Sequence, residues 1–203
     1  MIVNLALIAV TVIVSWMAFK RRETGLALAM WPSIVHRKRE YYRFITYGFV
    51  HADMQHLLFN MITLFFFGSM IEQVYAASIG PFGYVLFYVS ALAISILPSY
   101  RQHRNDPGYL SIGASGAVSA VLFAFILYQP WSLIFVFFFP IPAIVYAVLY
   151  VAFTVYMNRR GTDNINHSAH LWGAAYGVLI TVAVDPSSLS RFLLAVVHPP
   201  FLS

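Results

Sequence analysis

Ser115 and His170 carry the side chains most able to do chemistry here, and both stand at the heads of strongly apolar runs. Ser115 lies in SIGASGAVSA, residues 111–120, where nearly every side chain is small. His170 lies in AHLWGAAYG. A serine hydroxyl is a poor nucleophile until a base takes its proton, and neutral imidazole is the usual base. A second pair, His56 and Asn60 in HADMQHLLFN, is spaced i, i+4 and shares one helix face. Both can donate hydrogen bonds. Aimed at a developing oxyanion in a water-poor site, such donors are worth about 3 kcal/mol each. The backbone N–H of Ser115, at a helix start, offers another donor and the positive end of a helix dipole. Together the residue types suggest a Ser–His dyad with oxyanion donors.

Blander roles remain open for each residue. Gly116, Ala120 and Ala124 recur every four residues, so Ser115 also fits a stripe of small residues that lets helices approach. His170 also fits an interhelical hydrogen bond, and His56 with Asn60 a polar pair bonded to a neighbour. The soluble nucleophile elbow G-x-S-x-G is absent, because Ala117 stands where its second glycine belongs. No carboxylate lies near Ser115 or His170 in sequence. Asp106 and Asp163 are loop residues and weak candidates for a third member. His51 reads as structural, holding the loop before His56.

The chain that must position these groups has 203 residues, 61% hydrophobic and 9% charged. A soluble domain carries about 25% charged residues, so the expectation is a polytopic membrane protein in a single domain, residues 1–203, with 185–203 a short tail. The composition predicts an all-α membrane protein, a six-transmembrane helical bundle, with spans near 2–19, 55–76, 82–98, 113–130, 139–157 and 168–184. The first is read as a retained span, since it lacks a basic n-region and a small-residue cleavage site. A long connection, residues 20–54, holds WPSIVHRKREYYRF, whose aromatic and basic mixture suits the membrane interface. Pro140 and Pro142 are expected to open the fifth span. Cysteine is absent, which excludes disulfides and thiolate chemistry. The net charge of +5 suits loops against anionic lipid, and no nucleic-acid partner is expected.

With six spans, the second, fourth and sixth run the same way. His56, Asn60, Ser115 and His170 then lie within about two turns of one membrane face. Polar groups at membrane depth usually face the bundle interior or a wet cavity. Gly173 and Gly177 form a G-x-x-x-G pair, so the sixth helix can approach a neighbour closely. If that neighbour is the fourth helix, Ser115 and His170 come within reach.

HLLFN, GASG (Gly113 to Gly116) and AHLWGAAYG, in this order, resemble the rhomboid intramembrane serine proteases over about residues 40–184. The resemblance implies Ser115 as nucleophile, His170 as general base, and His56, Asn60 and the Ser115 backbone as oxyanion donors. YYRF is similar to the family's Trp-Arg loop motif, with Tyr42 in place of Trp, and places Arg43 in the interfacial loop. Glu72 matches a recurrent structural glutamate. Gly113, Gly116, Gly173 and Gly177 are structural by the same likeness. Members often carry a tyrosine one turn after the nucleophile, beneath the histidine ring; here that position is Ser119, and Tyr176 or Trp172 is expected to serve instead. The resemblance implies transmembrane protein substrates, contact with membrane lipids, a fifth span acting as lateral gate, and no cofactor or metal. It also implies an inner-membrane location, an external active site and a cytoplasmic N-terminus. The charges argue otherwise: of 12 Lys and Arg, all but Arg191 fall in loops on the active-site side. Other readings are a client-binding relative without catalysis, a transporter with histidines along its path, and a metal or haem protein using His56, His167 and His170.

Overall fold

The structure, a computed structural model, describes residues 2–136, 138–161 and 165–199. The first helix, α1 (Ile2–Lys20), buries only Asn4, Thr11 and Ser15. This inverts the pattern of a water-soluble helix. Lipid tails solvate apolar side chains as well as a core does, so the polar ones turn inward to find partners. Glu72 accepts the backbone N–H of Val3 (3.2 Å) and of Asn4 (2.9 Å), capping the first turn of α1.

The connection to the next long helix contains α2 (Arg22–Leu28), α3 (Pro32–Lys38), α4 (Arg43–Thr46) and a 3₁₀ turn, Tyr47–Phe49. Pro32 starts α3, where its missing N–H costs nothing. Arg43 is 6% exposed. It donates to the carbonyls of Leu26 (2.8 Å) and Ala29 (2.7 Å) at the open end of α2, and pairs with Glu40 (2.7 Å). That hydrogen bond holds the Glu40 carboxyl below its ordinary pKa.

Helices α5 (Met54–Thr63) and α6 (Ser69–Ile79) form one rod, joined by a π-helical turn, Leu64–Gly68. The π turn perturbs the regular hydrogen-bond ladder. Asn4 Nδ2 donates to the Leu64 carbonyl (2.8 Å), and Tyr84 donates to Asn4 Oδ1 (2.8 Å). α7 (Gly83–His103) follows. Next comes α8 (Ser115–Tyr128), which buries eleven of its fourteen residues.

At 1.5 Å per residue α8 is only about 21 Å long, shorter than the hydrocarbon core. The expected span 113–130 is therefore trimmed at both ends. Gln129 and Pro130 stop the helix, because the residue before a proline disfavours the helical region.

Two short strands correct the all-α expectation. β1 (Leu133–Val136) pairs antiparallel with β2 (Phe139–Pro142), Leu133 facing Pro142 and Val136 facing Phe139. Pro140 and Pro142 thus lie in a strand of a two-stranded ribbon, where a missing donor can face outward. The fifth long helix, α9, runs Ala143–Arg160, starting later than the expected 139. Its first amides donate to the carbonyls of Ser132 (2.9 Å, from Ala143) and Pro130 (2.8 Å, from Ile144). α10 (His167–Val184) and α11 (Ser187–Val197) finish the chain, bent by 114° at their junction.

Ile2–Lys20, Met54–Ile79 and Gly83–His103 are each long and apolar enough to cross a bilayer, and the bent α10–α11 pair adds a fourth candidate. The protein is an integral membrane protein with a mostly helical fold. α8 forms its centre, packed most closely against α10.

Candidate active site

The serine and the histidine meet because α8 and α10 touch backbone to backbone. A Cβ added at Gly173 would lie 2.8 Å from the Gly116 carbonyl carbon, and one at Gly177 would lie 2.7 Å from Ala120 Cα. Side chains are excluded at both crossings, so the small-residue stripe of α8 receives the glycines of α10. One turn before Gly173, His170 Nε2 stands 2.7 Å from Ser115 Oγ. Both residues are half-buried.

The head of each helix is fixed separately. The segment entering α8 is tied down almost residue by residue. Ser111 and Met30 exchange two backbone hydrogen bonds, each 3.0 Å. Gly113 N–H donates to the Tyr47 carbonyl (2.9 Å), and Ala114 N–H to His51 Nε2 (3.3 Å). Gly113 has φ +116°, and a Cβ there would lie 2.8 Å from His56 Nε2, so backbone and space both demand glycine. The connection 21–53 thus aims the serine through Met30, Tyr47 and His51. α10 is capped by Asn166, whose Oδ1 accepts the Ala169 N–H (3.0 Å) and the Ser99 hydroxyl (3.0 Å). Its Nδ2 donates to the Tyr109 hydroxyl (2.9 Å).

His51 is neutral with its proton on Nδ1. Nε2 is the acceptor for Ala114, so Nδ1–H donates to Ser15 Oγ (2.9 Å), and Ser15 donates onward to the Phe49 carbonyl (2.9 Å). Burial, with help from His56, pushes the His51 pKa down to about 3 against a smaller opposing pull from Asp53. The expected holding role of His51 therefore has a defined mechanism.

Ser115, His170, His56 and Asn60 line one cavity of about 620 Å³. Phe59 and Thr63 of α5 and Tyr146 and Tyr150 of α9 also line it. The His56 N–H donates to Asp53 Oδ1 (2.7 Å), which caps α5. Asn60 is buried and gives one amide hydrogen to the His56 carbonyl (2.9 Å), and a carboxamide nitrogen carries a second.

Other expected residues lie elsewhere. Asp106 accepts the Gly108 N–H (2.9 Å) and pairs with His103 (3.4 Å), away from His170. Asp163 lies outside the described residues. Among the described residues no three His, Cys, Asp or Glu side chains gather to hold a metal ion.

The ring beneath His170 is not supplied by its own helix. Trp172 is exposed, and Tyr176 bonds Ser90 (2.6 Å) while stacking on Phe87. Residues two and six positions along a helix point away from His170. Tyr150 of α9 stacks on it instead, centroids 6.3 Å apart and planes 22° from parallel. The Tyr150 hydroxyl shares a 2.7 Å hydrogen bond with Ser119, which also donates to the Ser115 carbonyl (2.8 Å).

A Rhomboid domain profile matches residues 38–186, nearly three-quarters of the sequence, and takes in every residue of this cavity. The chain belongs to the rhomboid family. It is 31% identical over 150 residues to RHOMBOID-like protein 12, mitochondrial, of Arabidopsis thaliana, covering 66% of this chain and 44% of the plant protein. It is 34% identical over 96 residues to Rhomboid protease GlpG of Haemophilus influenzae, covering 47% and 45%. To the putative rhomboid protease YdcA of Bacillus subtilis it is 27% identical over 151 residues, covering 70% and 66%. This rhomboid thus spans less than half the length of the first two relatives. Sequence reasoning missed Tyr150 and Asn166 as parts of its site. A cap residue three before an amide of the predicted helix was a usable signal for Asn166; no local signal marked Tyr150.

Proposed function

We propose that this rhomboid is an intramembrane serine endopeptidase that cleaves transmembrane segments of membrane proteins. The observation that carries the reading is the 2.7 Å approach of Ser115 Oγ to His170 Nε2 in a cavity walled by α5 and α9. His170 accepts the Ser115 proton at Nε2 as Oγ attacks the scissile carbonyl carbon. The oxyanion is met by the Ser115 N–H, the His56 ring and the second amide hydrogen of Asn60. His170 then protonates the leaving amine. Water, activated by the same imidazole, hydrolyses the acyl-enzyme and restores Ser115. Glu72, Arg43, Gly113, Gly116, Gly173 and Gly177 hold the scaffold around these groups.

A peptide bond inside a helix has its carbonyl already hydrogen-bonded, so a substrate must unwind before attack. Helix-destabilising residues near the scissile bond favour cleavage. The chain crosses the membrane six times, with α1, the α5–α6 rod, α7, α8, α9 and α10 as crossings. Because α8 is short, Ser115 lies below the membrane surface while the polar loops above it admit water. The active-site face is external and the N-terminus cytoplasmic, as in the reading by resemblance, despite the basic loops on that face. A tag in the 104–110 loop that is accessible only from the cytoplasm would reverse this orientation.

A serine-reactive fluorophosphonate tests the chemistry. Wild type is labelled, Ser115→Ala is not, and His170→Ala loses both labelling and cleavage of a reporter transmembrane segment. Equal labelling of wild type and Ser115→Ala would contradict the assignment and favour a client-binding role.

A further inference from the structure

At the end of the molecule remote from the cavity, α8 stops short. It is about 21 Å long against a hydrocarbon core of about 30 Å. α11 fills the place beneath it. This helix leaves α10 at 114°, too sharply to continue the crossing, and its eleven residues reach only about 16 Å. Three contacts tie it across the end of α8. Trp131 Nε1 donates to the Ala195 carbonyl (2.7 Å). The Tyr128 hydroxyl donates to Asp185 Oδ2 (3.1 Å), and Arg191 pairs with the same carboxylate while lying over the Tyr128 ring at 5.7 Å. A cation at that point also suits the negative end of the α8 dipole. A helix is about 10 Å across, so α8 with α11 laid beneath it matches the hydrocarbon thickness that α8 alone lacks.

α11 is apolar on two sides. Ser188 is buried and Phe192, Ala195 and Val196 are half-buried, a spacing that gives one face toward the bundle. Leu189, Leu193, Leu194 and Val197 are exposed. Ser187, Ser190 and Arg191 are exposed too, at three- and four-residue spacing along a separate strip. Water would leave the large apolar side chains uncovered, whereas a bilayer interface solvates them and the polar strip together. Val148, Leu149 and Phe153 of α9 show the same apolar exterior. The Rhomboid profile ends at residue 186, so α11 lies outside the matched domain.

We propose that α11 is an in-plane membrane helix. It lies in the interface of the leaflet opposite the active site, closing the short end of α8, with Leu189 and Leu193 seated among phospholipid acyl chains. This placement rests on the six-crossing reading above and on none of its chemistry. Arg191 is the one Lys or Arg outside the basic loops and is already paired with Asp185. Apolar burial rather than charge therefore holds the helix, and neutral lipid suffices.

The test uses the full chain, which has no cysteine of its own, in phosphatidylcholine vesicles. Leu193→Cys and Ser190→Cys are each labelled with an environment-sensitive fluorophore. Quenching is read with aqueous iodide and with phosphatidylcholines carrying a doxyl group high or low on the acyl chain. Iodide quenches the probe at 193 about threefold less than the probe at 190, and the shallow doxyl lipid quenches the probe at 193 more than the deep one. Should Leu193→Cys fail to fold, Leu189→Cys is read in its place. Equal iodide quenching at both positions would put α11 in water, and stronger quenching by the deep doxyl lipid would make it transverse. Protection at 193 that is lost on dilution of the protein into excess lipid would mean that a second copy covers the face. Each of these outcomes would overturn the proposal. Reporter cleavage by the same labelled protein reads the protease assignment separately. Inactive protein with the expected quenching overturns that assignment alone and supports the placement of α11. A tag in the 104–110 loop reached from the same side as the probe at 190 would overturn the six-crossing reading and this proposal together.

Discussion

Gly173 lies against Gly116 so closely that a methyl group there would stand 2.8 Å from a backbone carbonyl carbon. No rotamer change relieves that overlap, because the obstacle is main chain. Gly173→Ala must therefore push α10 away from α8, at a cost of about 3 kcal/mol. The expected result is a thermal midpoint lower by roughly 10 °C and loss of reporter cleavage, since His170 is one turn away. A Gly173→Ala protein as stable and active as wild type would show that the two backbones do not meet.

Acid should weaken the fold through His51. In an unfolded chain a histidine binds a proton below about pH 6.5, whereas folded His51 refuses it until about pH 3. The unfolded state thus holds more protons in that window, and stability falls as pH falls through it, by up to about 1.4 kcal/mol per pH unit. Protonation also places a hydrogen on Nε2, facing the Ala114 N–H that it must accept. His56, 5.0 Å away, and Asp53 are the other titratable neighbours. Thermal midpoints measured from pH 7 to pH 4 should decline more steeply in wild type than in His51→Gln. Parallel slopes would exclude His51 as the group responsible.

Asn4 serves the Leu64 carbonyl and the Tyr84 hydroxyl at once. Replacing it with leucine deprives both buried groups of this partner, a loss of about 2 kcal/mol that lowers the thermal midpoint by roughly 5 °C. Glu72→Gln keeps an oxygen for only one of the amides of Val3 and Asn4, each of which has its own carboxylate oxygen, but leaves the Asn4 side chain and both its partners in place. Amide hydrogen exchange across residues 62–70 should rise in Asn4→Leu and stay near wild type in Glu72→Gln. Exchange unchanged in Asn4→Leu would mean the π turn is held by other contacts.

Much of the site could be read in the sequence because its key spacings are local. His56 with Asn60, and His170 with Gly173 and Gly177, are helix-face relations fixed by period alone. Ser115 stood out because small residues and hydroxyls head an apolar run. Tyr150 did not, since its contact joins α9 to α10 across twenty residues and depends on how three helices pack. The hairpin was hidden because LIFV and FPIP read equally well as loop or helix start. The polar face of α1 was written in the sequence at positions 4, 11 and 15, but hydropathy sees such a segment only as uniformly greasy.

The five-residue π turn in the second rod has a geometric corollary. An added residue rotates everything beyond it by about 100° relative to a regular helix. His56 and Asn60 stand before that turn and Glu72 after it, so one rod serves two different neighbours. Deleting a single residue from 64–68 would leave His56 and Asn60 in register while swinging the carboxylate off the start of α1, uncoupling α1 from the second rod.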